Sequence, residues 1–222
     1  MDSVIIRPAA PHDVAFLART IVEAEKSGTD KLGLGAIFGI DEIELLPLIC
    51  RMLEEDLDAC DYSISAFLVA MLNDLPVAAV AGWVEQADNE PPSHRSRANL
   101  FGHILPQTDV QASRARRDII APLQIEREPL ALQIEHVYVD PTCRGRSLAG
   151  SLIAEHERQA LARWPDTMKV QVQVMANNAA AVRAYGKLGF SAVRTFRTDD
   201  PRVLSLLPWN ERLLMEKATQ PN

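Results

Sequence analysis

Cysteine is scarce in this chain: Cys50, Cys60 and Cys143 stand apart, with no CxxC pair and no even-numbered framework. That excludes a disulfide-stapled scaffold and a thiolate metal site of ordinary spacing, and it suits thiols kept reduced in a cytoplasmic compartment. No metal is expected. Long apolar runs are absent as well, and none approaches the roughly 20 residues of a membrane helix. The start, Met1-Asp2-Ser3-Val4-Ile5-Ile6, has no basic region followed by an apolar stretch, so neither a secretory leader nor a membrane partner is expected. Basic excess is missing too: 23 Lys and Arg face 30 Asp and Glu, for a formal charge of −7. A phosphate backbone is gripped through Lys and Arg, so no nucleic-acid partner is expected. A negative field attracts a cationic amine, but net charge alone names no substrate.

What is present is ordinary globular material: 222 residues, 47% hydrophobic and 24% charged. That length and balance suit a single domain over residues 1–222 with an insertion at about 86–130. Residues 4–7 read as a strand. Apolar Val14, Leu17, Ala18, Ile21 and Val22 then recur at helical spacing. Gly33, Gly35 and Gly39 punctuate a loop over residues 27–40, and Asp41 caps a second helical stretch that contains Pro47. The Gly33-Leu34-Gly35 triplet follows a helix and not a strand, which argues against a dinucleotide cradle. Residues 63–72 and 76–85 form β-like runs about Asn73-Asp74, a hairpin pattern. Residues 89–95 read as an exposed loop and 107–120 as a helix whose Arg114, Arg116 and Arg117 form a solvated face.

Residues 132–139 alternate like a strand. Period two puts Leu132, Ile134, His136 and Tyr138 on one face, with Gln133, Glu135, Val137 and Val139 on the other. A polar loop follows, and then Leu148, Ala149, Leu152, Ile153, His156 and Ala160 are spaced as the buried stripe of a helix. Free N–H groups at such a helix start point at an anion, and the helix dipole favours it. A single strand-loop-helix is more often a plain turn, so its surroundings must decide. Residues 168–174 alternate strictly as another strand. Asn178 opens a short helix that Gly189 stops, and a strand entry follows at Phe190. Residues 212–216 read as the last strand.

The two segments VYVDPTCRGRSLAGSLI and VQVMANNAAAVRAYGKLGF, in that order and spacing, resemble the GCN5-related N-acetyltransferase (GNAT) family. The first carries its Arg/Gln-x-x-Gly-x-Gly/Ala loop as Arg144-Gly145-Arg146-Ser147-Leu148-Ala149, followed by Gly150. The second carries Asn178, Ala181, Tyr185, Lys187, Leu188, Gly189 and Phe190. The resemblance is good over 131–197 and loose over 4–26. It implies an α/β fold with a mixed, mostly antiparallel sheet flanked by helices and splayed at the cofactor site. It also implies acetyl-CoA as co-substrate and an amine acceptor. Backbone amides of residues 144–150 would hold the pyrophosphate, the backbone around Val137, Tyr138 and Val139 the pantetheine arm, and Asn178 would touch the cofactor. Ser147 departs from the pattern; a serine keeps the backbone N–H and is expected to be tolerated, with phosphate binding weakened if the position needs a positive φ.

By the same resemblance Tyr185 is the general acid for the departing thiolate, against the plainer reading of a packed core tyrosine. Glu135 occupies the place of a base, against that of a salt-bridged strand residue. His136 has the better intrinsic pKa of about 6.5, but alternation points it to the other face. Cys143 lacks an activating partner and reads as a bystander. Two other functions fit the motifs: a silent acyl-CoA-binding regulatory module, which the retained Tyr185 disfavours, and an enzyme acylating charged tRNA, which the acidic balance disfavours. A homodimer is an allowed assembly.

Overall fold

The computed structural model describes residues 4–219; residues 1–3 and 220–222 of the expected 1–222 unit lie outside them. The strands are β1 (Val4–Pro8), β2 (Phe67–Leu72), β3 (Leu75–Val84), β4 (Leu132–Val139), β5 (Lys169–Met175), β6 (Ser191–Arg197) and β7 (Glu211–Ala218). The α-helices are α1 (Val14–Glu25), α2 (Gly33–Phe38), α3 (Glu42–Glu54), α4 (Ser93–Ile104), α5 (Gln107–Ile120), α6 (Leu148–Arg163), α7 (Ala179–Lys187) and α8 (Val203–Leu206). The strands form one mixed sheet in the order β1-β2-β3-β4-β5-β7-β6. Its one parallel pair among the described residues is β4 with β5, joined by the crossover of α6.

Period-two alternation splits the strands between two cores. Phe67, Val69, Ala79 and Ala81 face α1 and α3, where they meet Leu17, Ile21, Leu45 and Ile49. Leu68, Val80, Leu132, Ile134, Val170 and Val172 face α6 and meet Leu148, Leu152 and Ile153. Each fully buried aliphatic side chain contributes roughly 1.5–3 kcal/mol, so both faces anchor the sheet. α6 approaches β3 closely: a Cβ on Gly82 would lie 2.7 Å from Nδ1 of His156. The His156 ring, buried there, forms a 2.9 Å hydrogen bond between Nε2 and the Val80 carbonyl.

Several local expectations hold in detail. The hairpin turn places Asn73 at φ 50° and Asp74 at φ 62°, the left-handed pair of a type I′ turn, whose twist matches the flanking strands. Asp41 caps α3 by accepting from the Glu44 N–H at 2.9 Å. Three expectations need correction. Residues 63–66 are not strand but a single helical turn with β2 starting at Phe67. The stretch read as loop at 89–95 leads into α4, which Pro92 precedes and whose Leu100 and Ile104 are buried. The glycine loop contains α2, closed by Gly39 at φ 78°.

The fourth correction concerns β4. His136 adopts φ 49°, and the pairing to β3 shifts from Ala81–Glu135 to Ala79–Tyr138. β4 therefore carries one extra residue, a bulge. Strict alternation fails beyond it: Val137 and Val139 join Leu132 and Ile134 toward α6. His136 turns to the α1 side, its ring 5.1 Å from Tyr62 and stacked 6.3 Å from Phe67. Tyr138 packs on Phe16 of α1 at 6.1 Å. His136 and Glu135 thus share the face that simple alternation keeps apart.

Candidate active site

β4 pairs with β5 only from Leu132 to Ile134. Beyond that point β5 continues against β7 as far as Met175, and β4 continues against β3 as far as Val139. The two central strands part, and the β5-facing backbone groups of residues 137–139 are left outside the sheet ladder. The loop after β4 lies at the same end. Asp140 starts it by accepting from the Thr142 N–H at 2.9 Å and from its hydroxyl at 2.6 Å. Arg144, Gly145, Arg146 and Ser147 follow, all exposed, and Leu148 begins α6 as a buried anchor.

Gly145 has φ 81°, and a Cβ there would meet nothing within 4 Å. The glycine is thus needed for its backbone conformation, not for space. Ser147 has φ 58° and makes no side-chain cap, so the substitution for glycine stands in the left-handed region where a side chain is costly. Gly150 serves packing: a Cβ would approach Leu188 Cδ2 to 2.8 Å. The first turn of α6 has N–H groups without i−4 partners, and two arginines flank it. A loop of this build accommodates a pyrophosphate, and the open edge of β4 accommodates an extended chain lying beside it.

Asn178 caps α7, its Oδ1 accepting from the Ala181 N–H at 3.1 Å, while its Nδ2 reaches Ser27 Oγ at 3.4 Å. It ties α7 to the end of α1 at the rim of the opening. Tyr185, on α7, is buried with its ring 5.7 Å from Phe190. Burial, and then the nearby Glu135 carboxylate, hold its phenol well above the ordinary value. Cys143 is buried with its Sγ 3.7 Å from Thr142 Oγ1. Among the described residues no group of acidic, histidine or cysteine side chains could hold a metal ion, and no helix is long and apolar enough to cross a membrane.

The α1 side of the opening is lined by charges that no motif announces. Glu135 pairs with Arg127 at 3.0 Å, and Asp61 pairs with Arg97 at 2.8 Å. Arg127 also lies 3.9 Å from Asp61 and 5.0 Å over the Trp83 ring. His136 Nε2 is 3.5 Å from Asp61 Oδ2. Burial is the largest influence on Asp61 and raises its pKa, yet Arg97, His136 and Arg127 outweigh it and hold the carboxyl far below its usual range. Burial likewise opposes the His136 imidazolium, but Asp61, Glu25 and Glu135 prevail and raise its pKa. Asp61 Oδ1, Arg127 Nε and His136 Nε2 are buried without a hydrogen-bond partner, so the cluster has capacity for water. Arg97 and Arg127 belong to the segment between β3 and β4. Scattered over four elements, these side chains have no sequence spacing by which to be found.

The glycine loop folds inward. Leu34 and Phe38 are buried in the α1-side core, and Phe38 meets Phe101 of α4 edge-on at 5.6 Å. Arg116 of α5 is no solvated bystander: its Nη1 donates to the Ile37 carbonyl at 2.7 Å. Arg114 and Arg117 are exposed.

The Acetyltransferase (GNAT) family model matches residues 50–190. Among solved structures the chain is similar to an N-acetyltransferase from Staphylococcus aureus Mu50, at 16% identity and TM-score 0.65, covering 96% of this chain and 100% of that one. It is similar to a mutant agmatine N-acetyltransferase in its apo form at 17% identity and TM-score 0.55, covering 98% and 100%. It is also similar to yncA of Salmonella typhimurium with its cofactor acetyl-CoA, at 13% identity and TM-score 0.53, covering 99% and 96%. No curated protein sequence matches. At these identities the likeness between structures is one of fold.

Proposed function

The chain belongs to the GNAT acetyltransferase family, and from that premise we propose that it transfers an acetyl group from acetyl-CoA to a primary amine by direct attack. The observation that carries the proposal is the parting of β4 from β5 beyond Ile134, with the Arg144–Gly150 loop at its mouth and both Glu135 and Tyr185 at its junction. In this reading the amides of residues 145–150 and the Arg144 and Arg146 side chains take the pyrophosphate, and the free backbone of Val137, Tyr138 and Val139 guides the pantetheine arm. Asn178 holds the rim.

The acceptor must shed a proton before it can attack. Glu135 receives it, directly or through water held at the buried cluster of Asp61, Arg127 and His136. The neutral amine nitrogen forms a bond to the acetyl carbon, the C–S bond breaks, and Tyr185 supplies a proton to the departing sulfur. A phenol kept above its ordinary pKa by burial stays protonated throughout the neutral range. The balance is R–NH₃⁺ plus acetyl-CoA giving the N-acetyl amide, CoA–SH and one proton. The thioester carries the activation, and the protein contributes positioning and proton transfer.

The test is incubation of the protein with acetyl-CoA and a panel of amines, followed through free thiol release and the mass of the N-acetyl product. Amine-dependent release is the expected result. CoA binding without thioester consumption marks a silent acyl-CoA module, and consumption only with aminoacyl-tRNA marks the RNA-directed enzyme.

A further inference from the structure

Arg127 precedes β4, and its surroundings hold its guanidinium in place. Backbone bonds tie Glu85, just past β3, to Ala131 at 3.0 Å and to Leu130 at 2.8 Å, so the chain that follows Arg127 is fixed to the end of β3. The Trp83 ring lies 5.0 Å from the guanidinium carbon, where the face of an indole attracts a cation. Nη1 of Arg127 donates to the Ser93 hydroxyl at 3.4 Å. One buried carboxylate anchors both supports: Glu85 accepts from the Trp83 Nε1–H at 3.0 Å and from the Ser93 N–H at 2.8 Å.

The other end of the guanidinium reaches Glu135. Nη2 donates to Glu135 Oε1 at 3.0 Å, while Oε2 has no hydrogen-bond partner among the described residues. The Arg127 side chain is 6% exposed and that of Glu135 19%, so the buried partner steadies the one that meets solvent. A glutamate side chain turns about several torsions, and fixing one oxygen fixes where the other points. Stability alone gives no reason for this arrangement. Nε of Arg127 is buried without a partner, and Arg127 and Arg97 both approach Asp61 Oδ2, at 3.9 and 2.8 Å. Two guanidiniums drawn to one carboxylate, with a buried N–H left over, are costly to maintain. What they secure is the orientation of Glu135.

We propose that Arg127 is a positioning residue: anchored by Trp83, Ser93 and Glu85, it holds Glu135 by Oε1 and so presents Oε2 to the acceptor ammonium or to the water that relays its proton. The inference rests on the acetyl transfer and the role of Glu135 proposed above. It gives the segment between β3 and β4 a part in the chemistry, exerted through Glu135. Misplacing a reacting group by about 1 Å costs up to about 100-fold in rate, so the orientation of a mobile carboxylate is a large effect.

The experiment is a double-mutant cycle read on an amine that the wild type acetylates. Arg127→Met keeps a stem against Trp83 and removes the guanidinium. Its kcat should fall roughly 10–100-fold, with the KM for acetyl-CoA and the Kd for CoA unchanged. Glu135→Gln is measured at alkaline pH, where part of the amine is neutral without a base and residual turnover can be followed. On that background Arg127→Met should cost nothing further, because no base is left to position. Arg127→Lys keeps the charge but not the planar fork; it should lose less, and it carries the same comparison if the Met variant no longer binds CoA. A wild-type kcat in Arg127→Met, an equal loss with and without Glu135, loss of CoA binding in both Arg127 variants, or full turnover of Glu135→Gln at neutral pH overturns the proposal and leaves acetyl transfer standing. If CoA binds the wild type but no amine consumes the thioester, acetyl transfer itself fails and this inference with it.

Discussion

Tyr185 and Glu135 draw their properties from neighbours that lie far apart in the chain. The phenol ring is held among Phe190 and the α6-side core. On the proposed mechanism, Tyr185→Phe removes only the hydroxyl and should lower kcat roughly 10²–10⁴-fold, the span typical of a general acid, with the KM for acetyl-CoA nearly unchanged. Steady-state kinetics under conditions where chemistry is rate-limiting would check this, and an unchanged kcat from pH 6 to 9 would assign the proton to solvent. A second residue-scale effect concerns stability. Burial lowers the His156 pKa to about 4, against the smaller opposing influence of its bond to Val80. A depressed folded-state pKa means that the unfolded chain binds the proton first. The stability His156 contributes is thus complete above about pH 6.5, its ordinary unfolded value, and is lost as pH falls toward 4. That loss is on the order of 3 kcal/mol for a shift of this size. Denaturant titrations between pH 7 and 4 should show it, and His156→Gln should abolish this part of the slope.

At the scale of elements, the sequence revealed most where one period held without interruption. The span of β4, the span of α5 and the buried stripe of α6 were all legible, because apolar alternation marked the first half of β4 and 3.6-residue spacing ran the length of α6. The motif residues of the loop and of α7 were legible for the same local reason. What was not legible arises from single-residue or long-range events. One left-handed residue, His136, shifts half a strand to the other face, and no alternation pattern contains that information. α4 has few apolar residues and begins after two prolines, so its helical signal is weak until Leu100 and Ile104 find the core. Asp61, Arg97, Arg127 and Glu135 become neighbours only through folding. The glycine loop shows the same limit. Its apolar side chains have no period that could tell pocket lining from core, and in the fold Phe38 is core. Phe38→Ala should therefore cost about 3–5 kcal/mol in a denaturant titration with the acceptor KM unchanged. A raised KM at unaltered stability would place Phe38 in the acceptor pocket instead.

At the scale of the whole molecule, one sheet carries a core on each face, yet its two central strands hold together for only three residue pairs. The opening persists because each strand is bound on its outer side, β4 by β3 and β5 by β7, so neither needs the other beyond Ile134. The Arg144–Gly150 loop follows β4 at this opening, and the charged cluster lies on the α1 face. A net charge of −7 would repel an anionic co-substrate, so the proposed binding relies on local donors, the α6 amides with Arg144 and Arg146. Gly145 is the point where this can be tested without disturbing either core, because it is exposed, needs φ 81°, and has open space around it. The deciding measurement is calorimetric titration of CoA into the wild type and into Gly145→Val, with circular dichroism showing that the variant is folded. The expected result is saturable binding to the wild type and at least a roughly 10-fold loss in the variant, since a β-branched residue is strained at positive φ and displaces the amides from their anion. Equal affinity in the folded variant would contradict the proposed role of this loop in holding acetyl-CoA.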